Sequence, residues 1–121
     1  MDPRALTVEF NEHINNHDLD GLAKLMTDDH TFIDTAAHVI RGKSDCLEAW
    51  REFFKAFPDY RNAFDRLVVE DNRVIVVGRS SCSDLRLNGP ALWVAKAKDN
   101  KLAEWRVYED TPANRRALGI A

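Results

Sequence analysis

Residues 60–83 read YRNAFDRLVVEDNRVIVVGRSSCS, two runs rich in β-formers separated by Asp71-Asn72. Val68, Val69, Val74, Ile75, Val76 and Val77 favour extended backbone, and Asp-Asn tolerates the left-handed conformation of a tight turn. The stretch therefore predicts a hairpin with strands at 60–70 and 73–83. A second stretch, LWVAKAKDNKLAEWRVY at 92–108, repeats the pattern across Asp99-Asn100, and Asn88-Gly89-Pro90 marks the loop between the two hairpins. Four consecutive strands of this kind predict an antiparallel sheet.

Upstream, the apolar period lengthens from two residues to between three and four. Asp2 followed by Pro3 is a helix start, and Leu6, Phe10 and Ile14 recur behind it, predicting a helix to about residue 16. Asp18 or Asp20 caps a second, short helix with Leu19, Leu22, Leu25 and Met26 on one side. Residues 30–34 and 38–42 then read as a small strand pair. Asp45 with Glu48 forms a capping-box variant for a third helix, which carries Leu47, Trp50, Phe54 and Phe57 and stops at Pro58. After the hairpins, Thr111-Pro112 opens a tail helix through Leu118. Helices followed by consecutive strands predict an α+β fold, a cone-shaped, curved antiparallel sheet packed on three N-terminal helices with a short C-terminal helix. A twisted sheet of this size is not covered flat by three helices, so a cavity is expected between the layers.

The length of 121 residues suits a single domain over 1–121 with one core. Seventeen Lys and Arg against twenty Asp and Glu give a net charge of -3, and the charges form no blocks, which disfavours nucleic-acid binding. No apolar run approaches the roughly 20 residues of a membrane helix, and Met1-Asp2-Pro3-Arg4 lacks a signal peptide's apolar core, so a cytoplasmic location is expected. Cys46 and Cys82 read as reduced packing residues.

Among residues fit for chemistry, Asp34 stands two positions after Phe32, on the same face of the predicted strand. If that face is apolar, aromatic neighbours would raise its pKa toward the range of a general base. The other reading is a solvated carboxylate capping the turn at Thr35-Ala36. Arg79 and Ser81 alternate with Ile75 and Val77, which would bring a cation and a hydroxyl to a cavity mouth, unless Arg79 forms a salt bridge to Asp34 or Glu109. His13 and His17 have the i, i+4 spacing of a metal pair, but no third ligand or HExxH pattern accompanies them, so no metal site is expected. His38 is expected to be exposed. Phe10, Ile14, Phe32 and Trp50 are candidate pocket walls, as are Phe54, Tyr60, Trp93 and Trp105, and the implied ligand is a small apolar molecule. Neither a metal nor an organic cofactor is required.

The segments Asn15-Asn16-His17-Asp18-Leu19-Asp20-Gly21-Leu22, Asp28-Asp29-His30-Thr31-Phe32-Ile33-Asp34 and Arg41-Gly42-Lys43 together resemble the nuclear-transport-factor-2-like superfamily, with its SnoaL-like polyketide cyclases and ketosteroid isomerases. Phe57-Pro58-Asp59-Tyr60 and the run from Trp105 to Gly119 are similar to SnoaL-like segments. The resemblance covers nearly the whole chain and implies the cystatin-like cone, a homodimer and a cofactor-independent isomerase, cyclase or epoxide-hydrolase-like activity. It places Asp34 where ketosteroid isomerases keep their proton-shuttling carboxylate, and Asp34 with Arg79 as stand-ins for part of the epoxide hydrolases' Asp-Arg-Asp group. The isomerases' oxyanion donors fall on Phe10 and Trp93, which cannot donate in the same way, so a different reaction is implied. The other reading of the same pocket is non-catalytic binding of a hydrophobic small molecule, or an interaction scaffold.

Overall fold

A computed structural model describes residues 1–120. The chain runs α1 (Pro3–Asn15), α2 (Leu19–Leu25), β1 (Met26–Ile33), β2 (Val39–Arg41), α3 (Lys43–Ala56), β3 (Arg61–Glu70), β4 (Arg73–Ser81), a 3-10 turn (Leu85–Leu87), β5 (Gly89–Lys98), β6 (Lys101–Glu109) and α4 (Pro112–Leu118). The helix starts follow their caps: Asp2 accepts from the Ala5 amide, Asp18 from Gly21 and Thr111 from Asn114. At α3 the expected capping box does not form. Gly42 is the N-cap, without a side-chain bond, and Asp45 already lies in the first turn.

The strands form one α+β sheet in the order β2-β1-β6-β5-β4-β3. Every pairing is antiparallel except β1 with β6, which is parallel and corrects the expectation of a wholly antiparallel sheet. The cause is connectivity. From β2 the chain crosses the helical face through α3 to the far edge, and the meander β3 to β6 then returns to lie against β1. Register shifts at residues 26–31 of β1, 64–66 of β3 and 96–97 of β5 bend the strands and steepen the twist, carrying the sheet around its helices.

Both faces of the central strands are covered. Val74, Val76, Trp93, Ala95 and Trp105 pack under the helices with Leu6, Phe10, Ile14 and Leu22. Ile75, Leu92 and Val94 point the other way, against Leu118 and Ile120 at the chain's end. The inward residues of β4 are thus Val74, Val76, Gly78 and Ser80, not the alternate set containing Ile75, Val77, Arg79 and Ser81. A strand covered on both faces reads as one apolar run, and alternation then cannot say which half faces the helices. Among the described residues, no helix is long and apolar enough to cross a membrane.

Candidate functional site

The stripe of α3 that faces the sheet is Cys46, Ala49, Trp50 and Phe53, at i, i+3, i+4 and i+7. Opposite it stand Phe32 of β1, Ile40 of β2 and Trp105 and Val107 of β6, while Tyr60 and Leu87 complete the wall. Together they enclose a cavity of about 320 Å³ whose rim includes Asp34 and Thr35. The rings are held by one another. Trp50 meets Phe32 edge-on at 5.6 Å, and Phe53 meets Tyr60 edge-on at 4.8 Å.

Four of the eight expected wall residues, Phe32, Trp50, Tyr60 and Trp105, line this cavity. The other four are core. Phe10 lies behind Trp105 with ring centres 4.6 Å apart, Trp93 packs on Phe64 at 5.2 Å, and Ile14 is fully buried. Phe54 is sandwiched between Trp50 and His17, the latter stacked at 4.4 Å and 9°. That stacking also separates the histidine pair, because His13 turns instead to the Asp18 carboxylate at 3.4 Å.

Asp34 reaches the rim but is not a buried carboxylate. β1 ends at Ile33, so the alternation that predicted an inward side chain no longer applies one residue later. The side chain is 41% exposed and caps the turn: Oδ1 accepts from the amides of Ala36 and His38, both at 2.9 Å, and Oδ2 lies 3.2 Å from His38 Nδ1. Partial desolvation, the largest single influence, pushes its pKa up, but the two amides and the His38 ring together outweigh it and the net shift is downward. Asp34 is thus ionised and accepts hydrogen bonds. The expected rise in pKa is corrected. Arg79 is corrected as well: it is exposed on the face of β4 that carries Ile75 and Val77, away from the cavity, and makes no salt bridge among the described residues. His38 is exposed, in line with its position in a hairpin arm.

Behind the cavity lie two buried polar features whose burial the sequence reading did not anticipate. His30 is fully buried, stacks on Phe10 and donates Nδ1–H to the Leu102 carbonyl at 2.6 Å, and burial pushes its pKa down. The second is a chain of side chains between α1 and the β3 edge. Asn15 Oδ1 accepts from the Asn62 amide at 2.8 Å while Asn15 Nδ2 donates to the Asn62 carbonyl at 2.9 Å, as a neighbouring strand would. Asn62 Nδ2 donates to Asn11 Oδ1 at 3.2 Å, Ser80 Oγ to Asn62 Oδ1 at 2.7 Å, and Ser80 Oγ is 3.3 Å from the Tyr60 hydroxyl. The available signal was Asn11 and Asn15, four residues apart on a helix whose buried face is otherwise mostly apolar.

With this geometry the sequence comparison is decisive: the SnoaL-like domain model matches residues 7–116. The chain belongs to the SnoaL-like domain family. Solved structures agree on the fold. This SnoaL-like chain matches a cystatin-fold protein from Novosphingobium aromaticivorans at TM-score 0.77 and 17% identity, covering 88% of this chain and 97% of that one. It matches a nuclear-transport-factor-2-like protein from Cytophaga hutchinsonii at TM-score 0.76 and 15% identity, covering 98% and 96%. An epoxide hydrolase of the LEH-like kind from M. tuberculosis matches at TM-score 0.77 and 17% identity, covering 89% and 82%. No protein with a curated description matches this sequence. In the SnoaL-like frame, the walls that sequence reading missed are Ile40, Cys46, Ala49, Phe53, Leu87 and Val107. The α3 members are legible as a helical stripe one residue before the one chosen through Leu47, Phe54 and Phe57. Leu87 comes from an irregular turn and carries no periodic signal.

Proposed function

We propose that this SnoaL-like chain binds a small, largely apolar molecule of one or two rings in the α3–β6 cavity, without a metal or organic cofactor. The supporting observation is an aromatic-walled cavity of about 320 Å³, at the small end of the range that ligand sites occupy. Ala49 offers the cleanest test, since it lines the cavity from the middle of α3. Ala49→Phe is expected to fill the space and weaken binding of 2-methoxynaphthalene by at least about tenfold, with thermal stability unchanged or raised. Unchanged affinity in a folded variant would rule out this cavity as the binding site.

A second reading, proton transfer on a carbonyl-bearing or cyclic substrate, is favoured by the Asp34 carboxylate at the rim. Its lowered pKa makes it a weak base, so substrate would have to displace part of its amide shell. Asp34→Asn preserves an oxygen for the Ala36 and His38 amides. If Asp34 is the base, exchange of the α-protons of 2-tetralone with deuterated water falls about 100-fold in the variant while affinity changes less than about twofold. An unchanged exchange rate would remove Asp34 from the chemistry and leave the binding reading alone.

A further inference from the structure

Tyr60 is at once a wall of the cavity and the end of the buried polar chain, and that chain fixes the direction of its proton. Backbone groups set the orientation from the far end. The Asn62 carbonyl can only accept, so the Asn11 group 3.3 Å from it is the Nδ2 donor. Asn11 Oδ1 is then the acceptor for Asn62 Nδ2, which turns Asn62 Oδ1 toward Ser80. The single Ser80 hydroxyl proton is committed to Asn62 Oδ1 at 2.7 Å, so toward Tyr60 the serine oxygen can only accept. The Tyr60 proton is therefore directed into the chain, toward Ser80 with the Asn62 side chain beside it, and the phenol oxygen keeps a lone pair for a donor. Of the other polar hydrogens of the wall, the Cys46 thiol points to the carbonyls of His30 and Ile40 at 3.5 Å, and the Trp50 indole N–H is buried without a hydrogen-bond partner among the described residues.

We propose that Tyr60 selects the ligand: the cavity takes a hydroxylated apolar ring compound, a phenol, enol or ring alcohol, which donates its O–H to the Tyr60 oxygen. This rests on the cavity being a ligand site, as proposed above. Were the ligand to present a carbonyl there instead, the Tyr60 proton would have to leave Ser80, whose oxygen would lose the donor it holds at 3.3 Å.

The test is a matched pair, 2-naphthol and its methyl ether, titrated by calorimetry into the wild-type chain, Tyr60→Phe and Ser80→Ala. The wild type is expected to prefer the naphthol about fivefold, the worth of one neutral hydrogen bond. Tyr60→Phe should erase that preference and leave the ether's affinity within about twofold. The phenylalanine leaves the Ser80–Asn62 bond in place, so the fold is retained. Ser80→Ala releases the Tyr60 proton, and 2-acetonaphthone, which can only accept, should then bind about fivefold tighter than it does to the wild type. A merely structural role for the chain would not produce that reversal. Equal affinity of the naphthol and its ether in the wild type, or a preference retained in Tyr60→Phe, overturns the assignment while leaving the cavity a ligand site. Failure of every compound to bind overturns the ligand site itself and this assignment with it.

Discussion

Trp105→Ala is expected to destabilise the chain by about 3–5 kcal/mol in urea unfolding and to lower its melting temperature by on the order of 10–20 °C. Trp105 is fully buried in β6, flanked by Phe32 of β1 on one side and Ala95 of β5 on the other. Its ring contacts Phe10 at 4.6 Å and Phe64 at 6.4 Å while also forming part of the cavity wall. Truncation therefore removes a core contact and merges the cavity with the space behind it, which the closed β5–β6–β1 ladder cannot collapse to fill. Trp105→Phe, which keeps most of the volume, should cost less than half as much. A loss below about 1 kcal/mol for the alanine variant would contradict the packing described.

Gly78→Ala is expected to cost about 2–4 kcal/mol, the sign being as informative as the size. A glycine with ordinary backbone replaced by alanine stabilises by about 0.4–1 kcal/mol, through the unfolded chain. Here a Cβ would collide with the carbonyl oxygen of Ala63 on the neighbouring strand, a backbone atom that cannot swing aside as a side-chain end can. The close approach lies beside the register shift between Phe64 and Arg66, where the ladder is irregular. Moving it would disturb β3 next to Asn62 and the polar chain that reaches Tyr60. Urea titrations of the wild type and the variant check this, and a stabilised variant would show that no such close approach exists.

What was legible in the sequence is explained by local chemistry. Asp71-Asn72 and Asp99-Asn100 mark hairpin turns because Asp and Asn accept positive φ cheaply, and Asp71, Asp99 and Asn100 have φ of 56°, 52° and 64°. Asp2, Asp18 and Thr111 were readable as helix caps for similar reasons. The parallel β1–β6 seam was not, since it depends on the path of the whole chain rather than on any neighbouring residues. Nor was the facing of β4, where apolar residues fill both sides. Asp34 shows how narrow the margin is. Phe32 and Asp34 share a face only while the strand lasts, and the strand stops at Ile33. A residue that alternation placed inside the cavity caps a turn at its rim instead. Gly78 and Asn62 carried their signals in plain view, a glycine inside a strand pattern and an asparagine near the strand's start, but the meaning of each lies in a partner on another element.

The cavity as ligand site is tested most directly by the amide proton–nitrogen spectrum of the chain titrated with 2-naphthol. Saturable shifts are expected at Phe32, Thr35, Ile40, Cys46, Ala49, Phe53, Leu87 and Val107, the residues around the cavity, and they should be absent in Ala49→Phe. Shifts centred instead on Ile75, Leu92 and Leu118 of the opposite sheet face, or no saturable shift at all, would contradict it.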